Sequence, residues 1–285
     1  VTQDLFARIA SLDGLTAADR ALAGYFESSF PNLAFQNLEA IATGAGVSVA
    51  SVTRFVRKLG YEDFKGFSTS IRAEVEANFD RPLQRQNQPL PEGPGAELAQ
   101  HLNAAVAEIG KTLDVTSAAE FDRIADLLAD ETRPLFLASA ATGRALMRYF
   151  YLLSKYHRGN VHLLPGADMN PHELVDITSD AVIFATAFDR HPKPVEIALR
   201  MGRKRGAATA LLTNRATSPL RIYADHVLLV HTDPTPRFKS RGTMLLVLES
   251  LLTAMETRAP ERTVQRTRSL EDGVDQLGLF ISPDR

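Results

Sequence analysis

The chain has 285 residues, 45% of them hydrophobic and 23% charged, with a formal net charge of -2; that length favours two domains, and the composition is that of a globular protein able to bury full cores. No run of about 18 apolar residues is available to span a bilayer, no basic-then-apolar start marks a secretory leader, and zero cysteines exclude disulfides, thiolate zinc sites and cysteine nucleophiles. The cytoplasm is the expected location, and a slightly acidic total argues against a protein that coats nucleic acid while leaving room for one basic module.

Thr16 caps a helix from Ala17 to about Phe26, with Leu22, Tyr25 and Phe26 facing inward and Phe30-Pro31 ending it. Leu38 to Ala42 is a short apolar helix, stopped by Thr43-Gly-Ala-Gly46. Ser48 is placed to N-cap the next helix by accepting an orphan amide one turn on. Within it Val52, Phe55, Val56 and Leu59 recur at i, i+3, i+4 and i+7, which makes one apolar face. The other face holds Ala50, Ser51, Thr53, Arg54, Arg57 and Lys58, all small, hydroxylic or basic. Two short helices, a turn with glycine and a basic second helix form the pattern of a helix-turn-helix.

The chemistry of that second helix suits a major groove. Ser48, Val49, Ala50 and Ser51 let its first turn approach base edges, with Thr53 beside them. Arg54 can bridge two guanine acceptors, and Arg57 and Lys58 can reach phosphates of a double-stranded operator. From Val49 to Arg72 the bases Arg54, Arg57, Lys58, Lys65 and Arg72 meet only Glu62 and Asp63, so the positive charge is local. The alternative is a plain helical hairpin with a solvated basic face. A further helix is expected from about Ser68 to Asn78, with Phe64 and Phe67 closing the small core.

Composition changes over 80–95, which holds four prolines and two glycines among few large apolar residues. This is read as a linker. The expected domains are therefore 1–79, helical and DNA-binding, and 96–258, α/β, followed by a tail over 259–285. Helices from Ala96 to Leu113 and Ser117 to Asp130 precede a strand at Pro134–Ala138. Helix then strand alternate to the end: Thr142–Tyr156, Val161–Leu164, Pro171–Ile177, Ala181–Ala185, Pro192–Arg205, Thr209–Thr213, His226–Val230 and Arg241–Thr257. Continuously apolar strands separated by helices predict a five-stranded parallel sheet, doubly wound and covered on both faces, of the flavodoxin-like sandwich type. The tail ends in Leu277-Gly-Leu-Phe-Ile281, apolar enough to dock on its own chain or on a partner.

In such sheets ligands sit at the carboxyl ends of the strands. That nominates Ser139-Ala-Ala-Thr142-Gly143 after the first strand, opening a helix whose amides can hold an anion. It also nominates Thr186-Ala-Phe-Asp-Arg190-His191 after the third, and Thr213-Asn-Arg-Ala-Thr-Ser218 after the fourth. Hydroxyls, Arg190 and His191 would suit a phosphorylated or carboxylated small molecule, although small residues there also serve tight turns. Asp189, His191 and Glu196 could be assembled into an acid-base set, yet nothing in the sequence fixes their geometry. Arg237, Lys239 and Arg241 form a basic loop that could meet an anion or a partner. His172-Glu173 lacks the second histidine of a zinc-protease motif; neither metal nor cofactor is expected.

Ala45-Gly-Val-Ser-Val-Ala-Ser-Val-Thr-Arg-Phe-Val-Arg-Lys-Leu-Gly-Tyr61, with Phe64-Lys65, closely resembles the helix-turn-helix of RpiR-type bacterial transcription regulators. Lys204-Arg-Gly-Ala207, Ala210-Leu-Leu-Thr-Asn214 and Ser218-Pro-Leu-Arg-Ile-Tyr-Ala-Asp225 look like the second half of a sugar isomerase (SIS) domain, the usual effector domain of that family. The resemblance implies a repressor or activator, not an enzyme, that senses a phosphosugar or related carbohydrate derivative and acts as a homodimer or tetramer. The sequence departs from the family pattern in two loops. Ser139 takes an expected glycine place and Gly143 an expected serine place. The usual Ser-x-Ser-Gly-x-Thr phosphate loop is replaced by Ala185-Thr-Ala-Phe-Asp-Arg-His-Pro-Lys-Pro194, as in a divergent subgroup. The rival readings are a phosphosugar isomerase with a helical appendage and a SIS domain that only dimerises.

Overall fold

The computed structural model describes residues 5–12, 14–30, 32–78, 90–166, 170–216, 218–232 and 238–280. Two compact units divide the chain between Asp80 and Arg81. Most of the 80–95 stretch lies outside the described residues.

The first unit contains α1 (Leu5–Ala10), α2 (Ala17–Ser29), a 3-10 turn at Asn32–Phe35, α3 (Leu38–Ala45), α4 (Val49–Lys58) and α5 (Phe64–Asn78). Thr16 and Asp19 form a reciprocal capping box at the start of α2. The core gathers Leu22, Phe26, Ile41, Val52, Phe55, Val56, Phe67 and Ile71, all buried. Phe26 meets the edge of Phe55 with ring centroids 5.5 Å apart and stacks on Phe67 at 5.1 Å. α5 begins four residues earlier than its pattern suggested, because Phe64 and Phe67 lie on its inward face.

The second unit starts with α6 (Ala96–Val115) and α7 (Ala118–Ala129). Then β1 (Leu135–Ala138), β2 (Val161–Leu163), β3 (Val182–Ala187), β4 (Ala208–Thr213) and β5 (His226–Leu229) pair in the order β2-β1-β3-β4-β5, every pair parallel. Between them run α8 (Ala141–Ser154), α9 (Asn170–Leu174) and α10 (Lys193–Lys204), and α11 (Gly242–Arg258) follows β5. Strand alternation sorts the apolar residues into two layers. Leu135, Leu137, Phe184 and Leu212 pack with Ile124 of α7, Phe150 of α8 and Leu248 of α11. Phe136, Ile183, Ala185 and Leu211 pack with Leu174 of α9 and Leu199 of α10. This is the expected doubly wound sheet, with its switch point between β1 and β3.

The tail folds differently from its reading. Pro260–Leu277 is a helix, α12, with proline in its first turn and Gly278 closing it in the left-handed conformation. Its arginines seize carbonyls left open at the ends of α7 and α8: Arg262 donates to His157 O at 2.8 Å and Ala129 O at 2.6 Å, and Arg266 donates to Lys155 O at 2.7 Å. The described residues of the apolar end are exposed, and Ile281 lies outside the described residues. Leu277, Leu279 and Phe280 are 72%, 60% and 78% exposed.

Candidate functional site

In the first unit, the turn between α3 and α4 is built by local chemistry. α3 runs three residues beyond its predicted end and stops at Gly46, whose φ of 65° is a left-handed conformation. Val47 N–H reaches back to Ala42 O at 2.9 Å, a Schellman closure. Gly44 therefore lies inside α3, where an added Cβ would fall 2.3 Å from the Tyr25 hydroxyl oxygen. That vacancy lets α3 press against α2.

Ser48 caps α4, accepting from Ser51 N at 3.2 Å, and its hydroxyl lies 2.9 Å from that of Ser51. Arg54 donates to Ser51 Oγ at 3.2 Å, so a hydroxyl chain steadies an exposed guanidinium beside the helix start. Ala50 is exposed, and Thr53 is half-buried with its hydroxyl returned to Val49 O. Arg57 and Lys58 are exposed as well. Arg57 contacts Glu62 O at 3.4 Å, whereas Lys58 makes an ion pair with Asp19 of α2 at 2.9 Å. The seven residues Ser48, Ala50, Ser51, Thr53, Arg54, Arg57 and Lys58 thus line one side of α4, opposite the buried Val52, Phe55 and Val56. Sequence reading missed α1. Its Arg8 donates to Leu59 O at 2.9 Å and lies over the Tyr61 ring, which fastens the end of α4.

In the second unit, the loops after β1 and β3 meet at the switch point. Ser139 Oγ lies 2.7 Å from Thr186 Oγ1. Gly143, on the first turn of α8, leaves room for that pair, since a Cβ there would stand 2.8 Å from Ser139 Oγ. No side chain caps the first amides of α8. Thr142 is exposed beside them.

The loops after β3 and β4 make a second cluster. His191 Nδ1 lies 3.3 Å from Ser218 Oγ, and Ser218 caps the 3-10 turn Pro219–Tyr223. Burial, aided by the Arg215 cation, pushes His191 down to about 4, so the ring is neutral near pH 7. Thr213 is buried, and its hydroxyl accepts Arg215 N at 3.3 Å. Arg190 is exposed. The structure therefore joins Ser139 to Thr186 and His191 to Ser218, and it leaves Arg190 and Thr142 exposed at the surface.

One group escaped the sequence reading. Asp189 is 2% exposed, and its Oδ1 accepts from Lys239 Nζ and Asn214 Nδ2, each at 2.9 Å. Its Oδ2 accepts from Arg241 Nη1, also at 2.9 Å. Burial alone would raise the carboxyl, but Lys239, Asn214 and Arg241 outweigh it and hold Asp189 at about 2. Asn214 also reaches Thr232 after β5. Lys239 and Arg241 of the basic loop do meet an anion, and the anion is internal, while Arg237 lies outside the described residues. Glu196 belongs elsewhere: it pairs with Lys193 and Arg200 along α10. Among the described residues no group of three or more His, Asp or Glu side chains could hold a metal ion, and no helix is long and apolar enough to cross a membrane.

With these geometries in view, the comparisons with known proteins are decisive. The helix-turn-helix domain of the rpiR family matches residues 5–78, and the SIS domain matches residues 128–254. The chain is an RpiR-family transcriptional regulator. A helix-turn-helix regulator of Clostridium perfringens is 22% identical over 267 residues, covering 90% of this chain and 94% of the relative. A second, from Providencia stuartii, is 22% identical and covers 91% and 93%. Among solved structures, Vibrio vulnificus NanR in complex with ManNAc-6P aligns over 96% of this chain and 99% of its own, with a TM-score of 0.55 at 16% identity. The sugar isomerase domain of an RpiR transcription factor from Sphaerobacter thermophilus covers 63% of this chain and 99% of its own, with a TM-score of 0.57 at 18% identity. At those identities the likeness establishes the fold of this RpiR-family chain.

Proposed function

We propose that this regulator reads an operator with α4 and adjusts its affinity when a small anionic metabolite, a phosphosugar or related carbohydrate derivative, binds at the carboxyl edge of the sheet. The observation that carries the first half is the exposed start of α4, where Ser48, Ala50 and Ser51 stand beside a steadied Arg54. Small side chains let a helix start approach base edges, and a guanidinium one turn on suits guanine. Ser51, Thr53 and Arg54 take the base-reading role, and Arg57 and Lys58 the phosphate role.

The second half rests on Ser139, Thr142, Gly143, His191, Thr213 and Ser218 at one sheet edge, with Arg190 at its rim and uncapped amides on α8. The NanR relative carries a ManNAc-6P ligand, which favours a phosphosugar here too. An isomerase would need a positioned base. Asp189 is a poor one, held by two cations at about 2, and His191, pushed down to about 4 by burial and contacting Ser218, takes up a proton weakly. We therefore read the domain as a sensor, in a cytoplasmic homodimer or tetramer whose SIS domains set the half-site spacing.

DNA selected from a random pool on the full chain supplies the probe for anisotropy titrations. Arg54→Ala should weaken binding by about 1–3 kcal/mol and relax one base position, and Arg57→Ala should lower the salt slope by about one unit. Unchanged affinity and slope in the double variant would refute the assignment. Calorimetry with phosphosugars and organic acids tests the effector half, with Arg190→Ala reporting whether the rim takes part.

A further inference from the structure

Asp189 and its partners show what the sheet edge is built to hold. Two cations and an amide converge on one carboxylate that is almost withdrawn from water; the Lys239 side chain is 6% exposed and that of Arg241 24%. Buried charge is tolerated only when paired, so Lys239 and Arg241 favour an anion at the place the Asp189 carboxylate fills.

The backbone of Asp189 is not at ease in that role. It follows β3 in a three-residue turn closed by Arg190 N to Phe188 O at 2.6 Å, and its φ is 60°. That region is sparsely used by residues other than glycine, although aspartate enters it more readily than most. The ion pairs, rather than backbone preference, keep the carboxylate inside. Arg241 also keeps donors in reserve: a guanidinium has five N–H groups, and Nη1 alone is engaged with Asp189 while the group lies over the Phe188 ring, 5.6 Å from its centroid.

We propose that Lys239 and Arg241 form the anion seat of this domain, and that Asp189 is its tethered occupant, displaced when the phosphate or carboxylate of an effector binds. The proposal rests on the reading of the sheet edge as the effector site and assigns its charge recognition to residues beyond the loops nominated above. Exchange is favoured over addition, because a phosphate dianion beside the Asp189 carboxylate would bring like charges together where little water screens them. A tethered competitor lowers apparent affinity by the fraction of time it is out of the seat. Bare anions should therefore bind weakly, and an effector would need its hydroxyls to contribute.

The test uses the full chain, inorganic phosphate as the probe and potassium chloride at matched ionic strength as the control. Asp189→Asn should lower the melting temperature of the α/β unit in chloride and recover it in phosphate. Its phosphate affinity by calorimetry should exceed that of the wild type at least tenfold. Asp189→Gly suits the positive φ and clears the carboxylate's volume, so it serves if the Asn variant does not fold, with the same gain expected. Adding Arg241→Gln to either variant should abolish the gain. A folded variant that binds phosphate no tighter than the wild type overturns the proposal, as does a gain that survives Arg241→Gln. The broader effector reading stands or falls separately, on whether wild-type calorimetry finds a ligand among phosphosugars and organic acids.

Discussion

On α4, Arg54, Arg57 and Lys58 are exposed, and each is steadied by one light contact to a hydroxyl, a carbonyl or a carboxylate. In the α/β unit, Lys239 and Arg241 converge on the buried carboxylate of Asp189. Both are clusters of bases, but solvent decides what each can do. Exposed cations keep their hydration and stay available to a phosphate backbone, where release of counterions supplies affinity. Buried ones must be paired at once, so their strength goes into fixing loops until another anion competes. The same residue types therefore make an exposed, available surface in one unit and a lock in the other.

The largest expected effect breaks the lock. Asp189→Ala leaves Lys239 buried without its carboxylate, and removing one partner of a buried pair typically costs about 3–5 kcal/mol. Urea unfolding followed by probes within the α/β unit should show that loss, and a change below about 1 kcal/mol would mean that the cluster behaves like a surface pair. Acid offers a milder route. The folded carboxyl lies at about 2, below its ordinary 3.8. Its contribution, roughly 2 kcal/mol, is complete above pH 4 and is lost as pH falls through about 2.

His191 should give the next largest signal, in a separate pH window. Its folded value of about 4 lies below the ordinary 6.5, so the unfolded chain takes up the proton first. Stability is then full above pH 6.5 and declines as pH falls toward 4, by about 2 kcal/mol after allowing for partial solvent contact. His191→Gln should reduce the slope between those limits, the remainder belonging to His157, which burial also lowers, while leaving the Asp189 transition below pH 4 in place. A slope that persists undiminished in the variant assigns the titration to another group.

How far these differences could be read from sequence depends on range. Val52, Phe55, Val56 and Leu59 announced the apolar side of α4 by spacing alone, and the opposite side followed. The apolar strands were equally legible, because burial on both faces leaves a continuous signal; their order in the sheet is given by the structure. Asp189, Lys239 and Arg241 were each visible as charged loop residues, yet their meeting depends on a contact across about 50 positions that no local pattern encodes. Gly44 shows the reverse error. Its local pattern marks a helix stop, the usual meaning of glycine, whereas its use is to admit Tyr25. α12 went unread because its arginines bind backbone carbonyls of α7 and α8, so its pattern lacks the apolar stripe of a packed helix.

The smallest expected effect concerns Lys58, the one base on α4 paired to a carboxylate. Its side chain is 37% exposed, and Asp19, at 14%, is already committed to the capping box of α2. An exposed pair of this kind contributes about 0–1 kcal/mol to stability, so Lys58→Ala should shift unfolding by no more than that. If Lys58 also serves a DNA phosphate, the same variant lowers the salt slope of operator binding by about one unit. Asp19→Asn separates the two roles, because asparagine can keep accepting the Thr16 amide while releasing the lysine. Operator affinity should then hold or rise. A strut would behave otherwise: Lys58→Ala would move the melting temperature and leave the salt slope alone, and Asp19→Asn would weaken binding by tilting α4 against α2. Measuring both slopes with one selected operator decides whether the paired lysine belongs with the reading surface or with the scaffold beneath it.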